Sequence, residues 1–366
     1  MKVLLVEPYY GGSHRAWADG YADSSANAVT LVTHEARFWK WRMHGSHLTL
    51  AGHAAGLLDD PPDVVLASSM MNVSAFAGAA RRSIGLAPIA VYFHESQFAY
   101  PLSPLDRPDQ TYPMINWSSA AMADLTIFNS DFHQTHFFEQ VEFFLRRFPD
   151  RRHGHLIPAV EDRSIVLPVG VDLLRIGPPS RRSADTRPLI LWNQRWEHDK
   201  RPDEFVRLIE TLLEAGIDFS VAVVGERFVS VPESFERLPE MLGDRLVAFG
   251  FVAGDEYVDL VQRADIVVST AEHEFFGVAI VEAMAAGAFP VLPDRLVYAE
   301  RVPEPHRGRC LYEDFDGLVE RVRWAIENRA GAIDIGQELS TSVQPFDWSV
   351  VAPAYDATLE RLAMRG

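Results

Sequence analysis

The chain has 366 residues, a formal net charge of −17 at pH 7 and a single cysteine, Cys310. Its length predicts two domains, since one hydrophobic core rarely serves more than ~250–300 residues, and its apolar runs are too short for a membrane span. The acidic balance disfavours nonspecific nucleic-acid binding by the whole surface, and the lone cysteine excludes an intrachain disulfide and favours a reducing, cytoplasmic location.

Short β-branched runs alternate with helical patterning along the first half of the chain. Such repeated units predict parallel strands joined by right-handed helical crossovers, and therefore an N-terminal, acceptor-side Rossmann-like domain over residues 1–172. A polar, aperiodic stretch then indicates a linker at 173–187. The first-domain strands are expected at 2–7, 28–33, 63–67, 88–93, 124–129 and 164–168.

The same alternation resumes after the linker and predicts a second Rossmann-like domain over residues 188–347. The final segment, 348–366, is amphipathic and is expected to pack back on the first domain. Two doubly wound α/β domains facing a central cleft are thus the predicted architecture. The second-domain strands are expected at 188–192, 219–224, 246–249, 265–269 and 289–292.

Two loops of the first domain carry candidate ligand-binding residues. Gly11-Gly12 follows the first strand and would let backbone amides approach a ligand closely, although an ordinary tight turn is the alternative explanation. His94 and Glu95 follow the strand at 88–93. They form a proton-handling or hydroxyl-binding pair, unless the imidazole only satisfies the loop backbone.

The positive charges of the first half gather in three clusters. They favour a local basic face, with solvated helix ends as the alternative interpretation. The clusters are Arg37, Lys40 and Arg42; Arg81-Arg82; and Arg146, Arg147, Arg151 and Arg152.

One loop of the second domain combines two cations with two carboxylates. Arg195 and Lys200 follow the strand at 188–192 and offer a planar fork and a point charge to a diphosphate. A surface ion-pair cluster with Glu197 and Asp199 would also explain this composition.

A second loop places one carboxylate at a strand end and another on the following helix. Glu274 follows the strand at 265–269, where open α/β sheets bind ligands. Gly277 opens a helix whose free amides suit a phosphate, and Glu282 lies further along that helix. The spacing is typical of two contacts to different parts of one long ligand.

Motifs for metal ions, dinucleotides and nucleophilic catalysis are absent from the sequence. Asp314-Phe315-Asp316 has the form Asp-x-Asp, but it heads a predicted helix and is better explained as a cap. Neither a Gly-rich Walker loop, a Gly-x-Gly-x-x-Gly fingerprint nor a Gly-x-Ser-x-Gly elbow occurs. No metal ion is therefore expected.

Taken together, these loops resemble those of retaining glycosyltransferases of the GT-B fold, with family 4 as the nearest broad match. Within that family the chain resembles the tRNA-queuosine α-mannosyltransferases over nearly its whole length. The strings that carry the resemblance are Tyr10-Gly11-Gly12-Ser13-His14, Tyr92-Phe93-His94-Glu95, Arg195-Trp196-Glu197-His198-Asp199-Lys200 and His273-Glu274-Phe275-Phe276-Gly277.

The resemblance implies transfer of mannose from GDP-mannose to the queuosine of tRNA, with retention and without a metal or other cofactor. It implies catalytic roles for His94 and Glu274, and places Glu282 on the donor ribose. Donor contacts are further implied at Gly11, Gly12, Arg195, Lys200, Gly225, Phe251, Val252, Phe276, Gly277 and Val278. Acceptor contacts are implied at His14, Glu95 and Gln97.

Two other functions remain open at the level of sequence. The same donor residues would serve a family 4 enzyme that uses another nucleotide sugar and a small-molecule or lipid acceptor. A binding protein without turnover, or a Rossmann-type epimerase, is the third hypothesis. Intact Arg195, Lys200, Glu274 and Glu282 argue against a dead enzyme, and the missing dinucleotide fingerprint argues against an epimerase. The sequence does not fix the oligomeric state.

Overall fold

The computed structural model describes residues 1–98, 109–180, 186–226 and 231–365, and the chain divides into two compact units. The first unit contains Met1–Val171 and Trp348–Gly366, and the second contains Asp172–Asp347. Each unit is built on one six-stranded parallel sheet, so the predicted α/β class is confirmed. Each predicted strand is present, with small shifts at its ends.

The first sheet has the strand order β2-β1-β3-β4-β5-β6. Its central strands β3 and β4 are apolar except for Ser68 and buried on both faces, as expected where helices cover a parallel sheet. The strands are β1 (Lys2–Tyr10), β2 (Ala28–Glu35), β3 (Val64–Ser68), β4 (Ile89–Phe93), β5 (Leu125–Phe128) and β6 (Ser164–Val166). The helices are α1 (Gly12–Ser24), α2 (Trp39–Leu57), α3 (Val73–Ile84), α4 (Thr111–Met122), α5 (Asp131–Leu145) and α6 (Ile157–Glu161), with a 3₁₀ turn at Gly154–Leu156.

Among its described residues, the second unit contains ten α-helices. They are α7 (Leu173–Ile176), α8 (Pro202–Glu214), α9 (Glu233–Glu236), α10 (Leu238–Leu242), α11 (Gly254–Arg263), α12 (Val278–Ala285), α13 (Tyr298–Arg301), α14 (Glu304–Cys310), α15 (Phe315–Glu327) and α16 (Arg329–Ser342). Its strands are β7 (Leu189–Trp192), β8 (Ser220–Val224), β9 (Leu246–Gly250), β10 (Ile266–Val268), β11 (Phe289–Pro293) and β12 (Leu311–Tyr312), in the order β12-β11-β10-β7-β8-β9. Strand β12 was not predicted, because two residues are too few to show a periodicity. Turns of 3₁₀ helix occupy His198–Lys200, Gly243–Arg245 and Gln344–Phe346.

The segment 173–187, predicted as a linker, differs from that expectation at its start. Its first four residues form α7, whose Leu173 and Ile176 side chains are buried. The helix is capped locally, because the Asp172 carboxylate accepts a hydrogen bond from the Arg175 amide. Residues 181–185 lie outside the described part of the chain.

The last helix, α17 (Trp348–Ala363), belongs to the first unit. The Trp348 ring fills space that two glycines leave open, since a Cβ atom on Gly20 or Gly170 would stand 2.1 or 2.2 Å from that ring. Further along α17, the buried Asp356 carboxylate accepts hydrogen bonds from the Tyr21 hydroxyl and the Ala26 amide, both at 2.8 Å. These contacts connect α17 to α1 and to the start of β2.

Removal of the Asp356 carboxylate is expected to destabilise the first unit. Burial raises the pKa of Asp356, but hydrogen bonds from Ser25, Ala26 and Tyr21 outweigh it and hold the pKa below its ordinary value. Asp356→Ala leaves those donors unpaired, and should lower the free energy of unfolding at pH 7 by about 2–4 kcal/mol in denaturant titrations.

The pH dependence supplies the control for this substitution. A carboxyl whose pKa is depressed by folding stabilises the fold above its unfolded pKa and loses that contribution as the pH falls. The difference between the wild type and Asp356→Asn should therefore shrink below about pH 4. A pH-independent difference would contradict the role assigned to the charge.

Cys310 is buried at the end of α14, and burial raises the pKa of its thiol to about 12. A thiol in that state is structural rather than nucleophilic. Among the described residues, no helix has the length and apolarity that crossing a bilayer requires.

Candidate functional site

The order of strands places the candidate loops of each unit at one sheet edge. In an open α/β sheet, ligands bind at the carboxyl ends of the strands, where the strand order reverses. That reversal falls between β1 and β3 in the first sheet, and between β7 and β10 in the second. The Gly11-Gly12 turn follows β1, while the loops at 193–201 and 269–277 follow β7 and β10.

Lys200 is the centre of the charge cluster in the second unit. Its ammonium is almost fully buried and donates to the His273 carbonyl oxygen at 2.5 Å. Carboxylate oxygens of Asp199 and Glu274 lie 3.2 and 3.3 Å from the same nitrogen. Burial lowers the pKa of Lys200, but the two carboxylates outweigh it and the pKa rises, so the residue stays charged.

Glu274 is held by its own loop as well as by Lys200. Its Oε1 atom accepts hydrogen bonds from the amides of Phe275 and Phe276, at 3.1 and 3.3 Å. Burial raises the pKa of Glu274, but the Lys200 charge and the Phe276 amide outweigh it and lower the pKa. The site therefore holds a fixed, ionised carboxylate, which is suited to accepting hydrogen bonds from sugar hydroxyls.

Arg195 is the more accessible cation of the predicted pair. Its side chain is 41% exposed, and one guanidinium nitrogen lies 3.4 Å from the Glu197 carboxylate. The ion pair that the sequence left as an alternative is thus present. Since an ion pair this exposed is weak, a diphosphate can compete for the guanidinium.

Glu282 lies on α12 in a different environment from Glu274. The Tyr257 hydroxyl donates to its Oε2 atom at 2.7 Å, and the Asn193 side-chain amide donates to the Tyr257 oxygen at 3.1 Å. Burial raises the pKa of Glu282, with the Tyr257 hydrogen bond acting in the opposite direction. Tyr257 therefore orients the carboxylate that is predicted to bind the donor ribose.

Loss of the Tyr257 hydroxyl is expected to weaken donor binding with little effect on the chemical step. Tyr257→Phe should raise the KM for the nucleotide sugar about threefold to tenfold, because one hydrogen bond to a charged group is lost. Titration calorimetry with the nucleoside diphosphate and steady-state kinetics would measure this. An unchanged KM with a reduced kcat would exclude the orienting role.

The amino terminus of α12 is fixed by a glycine and a buried arginine. Gly277 has φ of +83°, a left-handed conformation that favours glycine, and Val278 is the first residue of the helix. Arg301 donates to the Phe276 carbonyl oxygen at 2.9 Å, and its guanidinium carbon lies 4.4 and 4.8 Å from the ring centroids of Phe276 and Phe346. The helix amides are thereby presented in one orientation.

The remaining predicted donor residues surround these loops. Gly225 has a packing reason to be glycine, since a Cβ atom there would stand 1.8 Å from the Gln194 carbonyl oxygen. Phe251 follows β9 with 69% of its surface exposed, and Val252 beside it is half-buried. An exposed ring at a strand end is suited to stacking on a base.

In the first unit, a buried carboxylate joins two of the predicted histidines. Glu7, fully buried near the end of β1, lies 3.2 Å from His14 Nδ1 and 3.8 Å from His94 Nε2. The carboxylate oxygen and the two imidazole nitrogens that could bind a cation lie within 4.8 Å of one another. Glu7 was missed at the sequence level, although an acid inside an apolar strand is the signal that could have revealed it.

His94 is enclosed by aromatic rings. Its imidazole packs edge-on against Trp17 and Tyr92, with ring centroids 4.6 and 4.8 Å away, and tilts against His14 at 4.2 Å. Burial lowers the pKa of His94 well below its ordinary value, and the charge of His14 adds to the effect. A neutral imidazole in a fixed position can accept or donate one hydrogen bond to a ligand.

The other acceptor-side residues are placed by short contacts. The Gln97 side-chain amide donates to Glu95 at 3.0 Å, and the Gln97 backbone amide donates to Asn116 at 2.9 Å. Gly11 packs against Ala36, the residue after β2, because a Cβ atom on Gly11 would stand 2.5 Å from the Ala36 side chain, and Gly12 has φ of +50°. These glycines are required by the turn itself.

The two Rossmann-like units have the GT-B fold, and the match of the second unit to the group 1 glycosyl transferase model shows that the chain is a glycosyltransferase. Solved structures share the fold: sucrose-phosphate synthase of Thermosynechococcus elongatus aligns over 100% of both chains with a TM-score of 0.74 and 17% identity. Anabaena HepE in complex with UDP and glucose aligns over 98% of this chain and 99% of its own, with a TM-score of 0.71 and 18% identity.

Two family models match the chain, one in each half. Residues 2–171 match the tRNA-queuosine alpha-mannosyltransferase N-terminal model, and residues 178–339 match the group 1 glycosyl transferase model. The tRNA-queuosine alpha-mannosyltransferase of Drosophila melanogaster is 34% identical over 87% of this chain and 85% of its own length. The chain belongs to the tRNA-queuosine alpha-mannosyltransferase family.

Proposed function

We propose that this glycosyltransferase moves mannose from GDP-mannose to the queuosine of tRNA, with retention of configuration at the sugar. The use of a nucleotide-sugar donor is supported above all by the ion pair between the buried Lys200 and Glu274, which lies beside the amino terminus of α12. Family membership supports the acceptor and the sugar, since the Drosophila relative is named for both.

The donor chemistry follows from where negative charge develops. Departure of a nucleoside diphosphate builds charge on phosphate oxygens, and preorganised cations and dipoles stabilise that charge best. Arg195 is placed to make the exposed contact, and Lys200 to supply a fixed positive field. The α12 amides are oriented to donate to a phosphate oxygen. Glu282 holds the ribose, and Glu274 holds the sugar hydroxyls.

The acceptor chemistry is assigned to the first unit. Burial and the charge of His14 lower the pKa of His94 and keep its imidazole neutral, and its proposed catalytic role is a hydrogen bond near the reacting carbon. The acceptor hydroxyl attacks the face that the diphosphate leaves, and a phosphate oxygen takes its proton. Glu95 and Gln97 bind the remaining hydroxyls of the acceptor.

We further propose that turnover requires no metal ion. The group Glu7, His14 and His94 is where a divalent cation would bind if this were wrong, because two imidazoles and a carboxylate form a common ligand set. Dialysis against EDTA should leave the transfer rate unchanged within about twofold. A loss that added Zn²⁺ or Mg²⁺ restores would overturn the metal-free mechanism.

One experiment tests donor and acceptor together. The protein is incubated with GDP-mannose, UDP-glucose or UDP-galactose, and with tRNA that contains or lacks queuosine, and sugar transfer and free nucleoside diphosphate are both measured. Labelling only with GDP-mannose and queuosine-containing tRNA supports the proposal. Labelling of tRNA that lacks queuosine, or from another donor, would overturn it, as would donor hydrolysis without any transfer to tRNA.

A further inference from the structure

One stretch of the first unit differs sharply in charge from the rest of this acidic chain. Residues 36–58 contain two arginines, one lysine, three histidines and no aspartate or glutamate. The whole chain carries 51 acidic residues and a net charge of −17. The stretch leads from the end of β2, where the exposed Glu35 carboxylate lies 3.6 Å from Arg37, into α2. Its remaining cations make this region locally positive in an acidic chain.

The same stretch exposes two large aromatic rings. Phe38 is 77% exposed and Trp41 is 64% exposed, and Arg37 and Lys40 are exposed beside them. Lys40 Nζ lies 5.5 Å from the centroid of the Trp39 ring, which itself packs against Tyr112. Arg37, Phe38, Lys40, Trp41 and the exposed His44 are called the α2 aromatic surface below.

The rings are held outward by a fixed turn. Phe38 has φ of +53°, which is unfavourable for a bulky side chain and persists only where neighbours enforce it. The Phe38 carbonyl oxygen accepts from the amides of Trp41 and Arg42 at 2.8 and 3.1 Å. Arg42 turns inward, unlike the exposed cation expected from the sequence cluster, and its Nε donates to the Glu35 carbonyl oxygen at 3.1 Å.

This surface adjoins the acceptor-side residues within the first unit. Ala36, immediately before it, packs against Gly11 of the turn that follows β1. The Tyr9 ring packs on the small cluster that contains Met43 of α2, and lies 5.9 Å from the His14 ring. Residues next to the α2 aromatic surface, Ala36 and Met43, therefore contact the turn before α1 and the Tyr9 ring beside His14.

We propose that the α2 aromatic surface binds single-stranded nucleotides of the tRNA anticodon loop, next to the base that accepts the sugar. Phe38 and Trp41 stack on unpaired bases, and Arg37 and Lys40 contact the adjoining phosphates, the combination by which proteins bind single-stranded nucleic acid. Charge complementarity favours RNA over a second copy of this acidic chain. The inference rests on the function proposed above.

The test compares this surface with a matched exposed aromatic elsewhere in the unit. Phe143 on α5 is 56% exposed, with the Arg147 guanidinium 4.6 Å from its ring centroid. However, Glu139 and Glu142 lie on the same helix, and Arg146 pairs with Glu142. Phe38→Ala, Trp41→Ala and Phe143→Ala would be assayed for transfer to queuosine-containing tRNA, for binding of a queuosine-containing anticodon stem-loop, and for GDP affinity.

We expect Phe38→Ala and Trp41→Ala each to weaken stem-loop binding and raise the KM for tRNA by about tenfold or more, because one stacked base is lost. GDP affinity should be unchanged, and Phe143→Ala should behave like the wild type. Trp41→Phe should retain most binding, whereas Lys40→Glu should weaken binding and reduce its salt dependence.

The result that overturns the inference is unchanged RNA binding in the Phe38 and Trp41 variants while the wild type transfers sugar to tRNA. A larger loss in Phe143→Ala would move the RNA surface to α5. A dimer in the wild type that dissociates in Trp41→Ala, with RNA binding intact, would make a second copy the occupant. Failure of the wild type to label any tRNA would instead refute the proposed function.

Discussion

Glu274→Ala is expected to abolish sugar transfer while GDP still binds. The carboxylate is ionised and fixed by two backbone amides, so its proposed role is to bind the hydroxyls of the sugar rather than the nucleotide. Its loss should reduce kcat by about a thousandfold, the scale of removing a preorganised polar contact to a transition state. Lys200 keeps Asp199 and the His273 carbonyl as partners, so the dissociation constant of GDP should change less than about threefold.

Two variants at neighbouring positions complete this test. Glu274→Gln retains an oxygen for the Phe275 and Phe276 amides and should lose most of the rate, because the negative charge is gone. Glu272→Ala removes a half-exposed carboxylate that pairs with Arg201, and should leave kcat unchanged. Loss of GDP affinity with preserved turnover in Glu274→Ala would refute the assignment.

Lys200→Met is expected to impair both folding stability and donor use. The substitution leaves the buried Asp199 and the partly buried Glu274 without their cation, and removing one partner of a buried ion pair typically costs about 3–5 kcal/mol of unfolding free energy. It also removes the fixed charge proposed to stabilise the departing diphosphate, so kcat/KM should fall by at least a hundredfold, to order of magnitude. Thermal or denaturant unfolding and donor kinetics would measure the two effects separately.

Three controls separate the effect on stability from that on catalysis. Arg201→Met removes a partly exposed cation that pairs with Asp203, Glu204 and Glu272, and should cost less than Lys200→Met, about 1 kcal/mol. Asp199→Asn combined with Lys200→Met should be less destabilised than Lys200→Met alone. In the wild type the Lys200 charge helps to lower the pKa of both carboxyls against the effect of burial, which raises it. Without that cation the pKa of each carboxyl should rise, so Lys200→Met should regain stability as the pH falls and they become protonated. Full stability with full activity would contradict the structural account of Lys200.

The fold followed from local sequence patterns. The strands β3 and β4 are apolar except for Ser68 at the end of β3, and only a sheet covered on both faces accepts such strands. The sequence also places Glu274, Gly277 and Glu282 correctly relative to β10 and α12, because that spacing depends only on local geometry. The helix cap at Asp314 was predicted for the same reason, and its carboxylate accepts from the Gly317 amide.

The contacts that the sequence did not reveal join residues far apart in the chain. Tyr257 meets Glu282 only because α11 and α12 are neighbours, and no motif distinguishes that tyrosine from a core residue. Glu7 meets His94 because β1 and β4 end at the same sheet edge. The direction of Arg42 likewise depends on the Glu35 carbonyl, which hydrophobic periodicity does not encode.

The return of α17 to the first unit has a consequence for the order of folding during synthesis. Domains generally fold in the order in which they emerge from the ribosome. Here the pockets for Trp348 and Asp356 remain open until 348–363 emerge, by which time residues 172–347 are already available to fold. We expect the second unit to reach its native state first on the nascent chain. A released chain truncated after residue 345 should then resist protease within 172–339 but not within 1–171.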